Sequence, residues 1–153
     1  VRGPGGQEAA DVRAPWAAAA LLLLLGCATG GPPHRRAVES NERCARALAR
    51  GALQAAEDEC DLCLQFAPGS ADCWTNKGLI ALRQGQPAHA REHFLTALRS
   101  NPDQAQAHND LGMLHLEAGE YALARERFER ALEVDPDLVE ARYNLGLAWK
   151  ALG

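Results

Sequence analysis

The stretch Trp74-Thr75-Asn76-Lys77-Gly78-Leu79-Ile80-Ala81, followed by Ala90, Phe94, Ala97 and Pro102, decides the fold because it comes back. Its slots are filled again 34 residues on by His108, Gly112, His115, Ala124, Phe128, Ala131 and Pro136. A fixed period of this length marks a solenoid, whose units cannot bury their apolar faces alone. One copy spans 71–104 and the next 105–138. At the same offset upstream, 37–70 carries Cys44, Ala56, Cys60, Cys63 and Pro68 in the corresponding slots, a degenerate first copy. Downstream, Tyr143-Asn144-Leu145-Gly146 opens a fourth copy, of which 139–153 supplies the first helix.

Each copy divides in two. Gly51, Gly85, Gly119 and Gly153 keep the spacing and stand where a first helix must stop, as glycine does best in a left-handed cap. Asp103 with Gln106, and Asp137 with Glu140, have capping-box spacing just after a proline and predict how the next copy begins. In the second half, Ala90, Phe94, Ala97 and Leu98 form one helical stripe, as do Ala124, Phe128, Ala131 and Leu132. Gly78 and Gly112 let the partner helices approach closely. Helix, glycine turn, helix, proline is an antiparallel pair, and stacked pairs curve into a superhelix. Aromatic residues make up only 5% of the chain while Ala and Leu abound, which favours close-packed helices over a β-sandwich. The predicted class is all-α.

The unit closely resembles the tetratricopeptide repeat. Trp74, Gly78, Ala90, Phe94 and Pro102 match its signature, with Lys77 and Ala81 in place of the usual Leu and Tyr. The following copy keeps Leu111-Gly112, Ala124, Phe128 and Pro136, with His108 and His115 in the aromatic slots, and the resemblance covers 37–153. It implies a right-handed superhelix whose concave face, lined mainly by first helices, receives an extended peptide or a helix of another protein. Carried onto this sequence, the groove comprises Thr75, Asn76 and Leu79, then Asn109, Asp110 and Met113, then Tyr143, Asn144 and Leu147.

Asn76, Asp110 and Asn144 share one offset, and in some members of the family a ladder of asparagines there grips a peptide backbone. A carboxamide both donates and accepts, which suits that task; Asp110 can only accept as a carboxylate, and so interrupts the ladder. The alternative is that these side chains merely solvate a helix face. Members that clamp a chaperone tail by its two carboxylates need several Lys and Asn on this face. Here only Lys77 and Arg83 are near, so a chaperone tail is not expected, and Leu79, Met113 and Leu147 imply a more apolar groove.

Ahead of the array, Trp16 to Leu25 is an apolar run of ten residues, too short to span a bilayer and matching the central segment of a secretory signal. Such signals open positively charged, yet Arg2 and Arg13 are offset by Glu8 and Asp11; a start at Val12 makes a cleaner leader. The run ends Leu24-Leu25-Gly26-Cys27, which resembles the lipobox of bacterial lipoproteins. That resemblance implies a signal peptide over 1–26, diacylglycerol on Cys27 and a further acyl chain on its new amino group. Several chains together hold a protein durably on a membrane. An ordinary secreted protein and an uncleaved anchor are the competing readings. Ala28, rather than Asp, after the cysteine implies an outer-membrane address by the enteric sorting rule. Residues 27–36 lack helical periodicity, carry Gly30-Gly31-Pro32-Pro33, and read as a tether.

Cys44, Cys60 and Cys63 occupy the repeat's Gly, Phe and Ala packing slots and Cys73 precedes Trp74, so all four are expected close together. In an exported chain an even number left after lipidation reads as disulfides. Buried thiols acting as small hydrophobes, or a four-cysteine metal site, are the alternatives. Packing in the family, taken to set the Gly slot against the Ala slot of the same pair, implies Cys44 with Cys63 and Cys60 with Cys73. Cys60-x-x-Cys63 lies mid-helix, away from the helix N-terminus that lowers the pKa of a redox thiol.

A net charge of −4 without a basic stripe argues against nucleic acid, and Glu57-Asp58-Glu59 reads as a solvated helix face. His89 and His93 are one turn apart, but Glu92 is misplaced for a zinc protease motif, and both read as surface residues. No nucleophile, base and orienter converge, so neither enzyme activity nor a cofactor or metal is expected. The expectation is an outer-membrane lipoprotein on the periplasmic face, whose repeats dock another envelope protein as a peptide or helix. Its architecture is similar to that of the pilotins that help assemble the type IV pilus secretin, and of lipoproteins serving gliding machines. The rival expectation is the front of a longer enzyme or sensor, since Leu145, Leu147 and Trp149 lie exposed unless this helix is itself the cap.

Overall fold

A computed structural model describes residues 34–153, so the expected signal, the Cys27 lipid site and most of the tether lie outside the described residues. Within them are seven helices and no strand: α1 Arg35–Ala49, α2 Leu53–Phe66, α3 Ala71–Arg83, α4 Pro87–Ser100, α5 Ala105–Glu117, α6 Tyr121–Val134 and α7 Val139–Leu152. Three helix pairs, α1–α2, α3–α4 and α5–α6, are stacked in order, and α7 packs against α6 and α5. Arg35 and Arg36, read above as the end of the tether, instead open α1. His34 and Arg36 find a partner in α2: His34 stacks on Phe66 with ring centroids 4.9 Å apart, and the Arg36 guanidinium lies 5.5 Å from the same ring.

The glycine breaks behave as expected. Gly51, Gly85 and Gly119 have φ of 72°, 73° and 76°, a region where an L side chain meets its own carbonyl. Immediately after them, the N–H groups of Ala52, Gln86 and Glu120 donate to the carbonyls of Ala47, Ala81 and His115, each at 2.9 Å. This six-residue closure satisfies helix-end carbonyls that would otherwise be orphaned.

The helix starts differ from expectation. Neither Asp103 nor Asp137 caps; α5 and α7 begin one residue later, after Gln104 and Leu138, with no side-chain cap. The chain is turned before the helix rather than at it: the Oδ1 atoms of Asn101 and Asp135 accept from the N–H of Asp103 and Asp137 at 3.1 and 3.0 Å. These turns carry the chain past the proline. Among the described helices only α3 is capped by a side chain, with Ser70 Oγ accepting from Cys73 N at 3.4 Å.

Another column appears at the Trp74 slot. Trp74 Nε1 donates to the carbonyl of Pro68 at 2.9 Å, His108 Nε2 to that of Pro102 at 3.0 Å, and an Arg142 nitrogen to that of Pro136. Three chemically different side chains thus tie each first helix to the proline turn behind it.

Inside each intact pair the contact is glycine against phenylalanine. A Cβ built on Gly78 would stand 2.3 Å from Phe94 Cε1, and one on Gly112 would stand 2.5 Å from Phe128 Cε1, with both rings fully buried. Gly78→Ala is therefore expected to destabilise the array by about 1–3 kcal/mol, because the ring has nowhere to retreat. Gly146, in the same slot of α7, has nothing within 4 Å of such a Cβ. Gly146→Ala should be neutral or stabilise by up to about 1 kcal/mol through helix propensity. Urea unfolding of the two variants checks the pair, and equal effects would contradict the packing account.

This contact also corrects the cysteine pairing. The disulfides join Cys44 to Cys60 and Cys63 to Cys73, with Cα atoms 5.5 and 6.4 Å apart, not Cys44 to Cys63 and Cys60 to Cys73. The Gly slot faces the Phe slot of its own pair, so Cys44 and Cys60 replace the Gly–Phe contact by a covalent bond. The Ala slot faces forward, and Cys63 of α2 therefore meets Cys73 of α3. The equivalent pairs downstream are Ala97 with Ala107 and Ala131 with Ala141, all 0% exposed. One disulfide closes the first repeat, and the other fastens it to the second.

Candidate partner-binding groove

The face built by the first helices is defined by which of them touch. α1 packs on α3, and α5 on α7. Each of these contacts carries one amide bridge: Asn76 Nδ2 donates to Asn41 Oδ1 at 2.8 Å, and Asn144 Nδ2 donates to Asn109 Oδ1 at 3.0 Å. Asn41, Thr75 and Asn109 share one repeat slot, and Asn76, Asp110 and Asn144 the other, so the pair equivalent to these two between α3 and α5 is Thr75 with Asp110. That bridge is absent. Thr75 Oγ1 donates instead to Ala71 O within its own helix at 2.9 Å, and Asp110 Oδ1 accepts from Gln106 Nε2 at 3.0 Å and Asn109 Nδ2 at 3.2 Å. Asp110 Oδ2 is buried without a partner.

A shallow depression of about 200 Å³ opens at the missing bridge. Asp72, Thr75, Asn76 and Leu79 of α3 line it with Asn41 of α1 and with Gln104 and Gln106 at the start of α5. Gln104 Nε2 spans to Asp72 Oδ1 at 2.7 Å. Asn41, Asp72, Gln104 and Gln106 were not among the expected groove residues. Asn41 was findable, because it stands one period before Thr75.

The expected residues fall into two groups. Thr75, Asn109, Asp110 and Asn144 are buried, Asn76 is half-buried, and Leu79 and Met113 are half-buried and also pack on the core. Tyr143, 67% exposed, and Leu147, 36% exposed, stand open on α7. The two basic residues near the groove are spoken for: Lys77 pairs with Asp61 of α2, and Arg83 donates to the carbonyl of Leu48.

Burial sets the electrostatics. It raises the pKa of Asp110 to about 6, against the smaller opposing pull of the hydrogen bonds from Gln106 and Asn109. Burial likewise lowers the pKa of His108, more than its bond to Pro102 raises it, and keeps the ring in the neutral form that donates through Nε2. Of the His pair on α4, His89 Nδ1 meets Gln86 Oε1 at 3.0 Å, while His93 stacks on Trp74 with centroids 5.5 Å apart. Among the described residues no group of three or more His, Cys, Asp or Glu is arranged to hold a metal ion.

Two family models match the chain, one described as a tetratricopeptide repeat over residues 75–126 and one as a TPR repeat over residues 114–153. Residues 75–153 are tetratricopeptide repeats. The tetratricopeptide-repeat fold extends further upstream, as solved structures show. The Sgt2 TPR domain of Aspergillus fumigatus superposes with a TM-score of 0.70 at 21% identity, covering 80% of this chain and 85% of that one. A superposition of that extent takes in the degenerate first copy. The first TPR of Spaghetti (RPAP3), bound to the HSP90 peptide SRMEEVD, gives 0.68 at 22% identity over 77% of this chain and 94% of that one. PilF of Pseudomonas aeruginosa gives 0.71 at 24% identity over 76% of this chain, which spans 54% of that protein. No curated protein matches the chain.

Proposed function

We propose that this protein is an exported, lipid-anchored adaptor whose tetratricopeptide repeats dock another envelope protein on the concave face. The observation that carries the reading is the state of the cysteines. All four within the array are paired, 0% exposed, and placed where they replace the packing contacts of the other repeats. Disulfides built into the core in this way belong to chains that fold in an oxidising compartment, as the bacterial periplasm is. Leu24-Leu25-Gly26-Cys27 then supplies the means of staying there, with Cys27 carrying the lipid and the array left free to meet its partner. Within that reading, the pilotin-type lipoproteins of the type IV pilus are the group whose architecture it resembles.

The test is intact mass and membrane fractionation of the chain expressed in a lipoprotein-competent bacterium, beside a Cys27→Ser variant. The expected result is a membrane-bound product beginning at residue 27 with the added mass of its acyl chains, and a soluble product for the variant. An unlipidated, soluble product from the unaltered chain would sink the anchoring proposal.

A further inference from the structure

Resting on that groove reading, we propose that the gap between α3 and α5 seats a lysine or arginine side chain of the partner's extended segment. The first helices are bridged by amides on either side of the gap, and here the bridge is missing and a depression takes its place. What remains around it is acceptor-rich. Asp72 stands at its edge, with one oxygen engaged by Gln104. Behind Gln106 lies Asp110, only 6% exposed, whose Oδ2 has no partner in the protein. Neutral asparagine occupies the Asp110 slot in the repeats before and after, so the fold itself does not ask for a charge there.

No cation of the array answers these carboxylates. α5 contains no Lys or Arg, and those of α3 are tied to Asp61 and to the Leu48 carbonyl. The first helices on either side add little: Arg35, Arg43 and Arg46 of α1 pair with Glu39, Glu59 and Glu42, Arg36 lies over the Phe66 ring, and Arg142 of α7 donates to Pro136. Lys150 stands at the far end of α7, beyond Leu147. A carboxylate held out of water and unpaired is a charge waiting for a counter-charge, and the penalty already met in burying it is returned when one arrives. Leu79, half-buried in the lining of the gap, suits the aliphatic stem of such a side chain. A cationic guest fits this chemistry; an acidic one meets only like charge.

The test uses the full chain with Cys27→Ser, oxidised, at pH 7.5, and fluorescence anisotropy with labelled nonapeptides of alternating serine and leucine. Two positions in each carry Lys, Gln or Glu. The Lys peptide should bind at least tenfold tighter than the Gln peptide, and the Glu peptide weakest. Asp72→Asn with Asp110→Asn should bring the Lys peptide down to the affinity of the Gln peptide and leave the latter unchanged. Asp58→Asn with Glu126→Gln, exposed on α2 and α6, should change none of the three. Equal binding of the Lys and Gln peptides, or strongest binding of the Glu peptide, would overturn the cation site and leave the groove standing. A loss in the α2 and α6 variant as large as in the groove variant would reduce the effect to diffuse attraction and overturn it equally. Binding of none of the three would remove the groove reading for extended peptides, and this inference with it.

Discussion

Reduction of the disulfides should cost the array about 3 kcal/mol for each bond, with the loss concentrated in α1 and α2. The sequence separations are 16 and 10 residues, and closing loops of that size removes roughly this much entropy from the unfolded chain. The first repeat has little else to fall back on, since its largest slot holds Cys60 where the other repeats hold a buried phenylalanine. Thermal unfolding with and without reductant, followed by hydrogen exchange of the reduced form, measures both the size and the place of the loss. A second variant isolates the cause. Cys44→Gly with Cys60→Phe rebuilds the contact that Gly78 makes with Phe94, and should regain part of the loss while making that link indifferent to reductant. An unfolding temperature that does not move on reduction would show that packing alone carries the first repeat.

Asp110→Asn should stabilise the array by about 3 kcal/mol at pH 7.5 and have almost no effect near pH 4. The folded carboxyl titrates at about 6 against an ordinary value of 3.8, and each unit of difference corresponds to about 1.4 kcal/mol. Between those two values the folded state holds a proton that the unfolded state has released. Stability therefore falls as pH rises through this window and stays low above it. Asparagine keeps an oxygen for Gln106 and Asn109 and carries no charge at any pH, so its advantage grows over the same interval. Urea titrations at the two pH values decide the matter; a gain that is equal at both, or a loss at pH 7.5, would contradict the burial argument. Retention of so costly a group is what sites do where stability has been given up for binding.

The helices, their order and their turns were legible because each rests on a local signal repeated at a fixed interval. Gly85 and Gly119 name the turn, and Ala90-Phe94-Ala97 names the buried stripe. The cysteine pairing was not legible, because it depends on which stripe residue faces inward and which faces forward. Phe94 and Ala97 look alike in a periodicity and differ only once the next repeat is stacked on. The capping boxes misled for a related reason: Asp103 has the right spacing to Gln106, but Asn101, two residues earlier, has already turned the chain. At the groove, the repeat slots located Asp110, and the same arithmetic applied to Thr75 would have found Asn41. That the amide bridge is missing between α3 and α5 follows from the chemistry of two substituted residues, Thr75 and Asp110, in three dimensions, which no spacing reports.

The two cross-links also fix how the array answers a pull along its length. Tension drawn through α1 toward α7 passes across the Cys44–Cys60 and Cys63–Cys73 bonds and bypasses the segments between them, so those residues cannot pay out as slack. At about 3.4 Å for each residue, the withheld contour is roughly 80 Å. From Cys44 to Cys73 the chain is thus a nearly inextensible collar, and yielding under strain falls to the start of α1 before it and to the repeats beyond it.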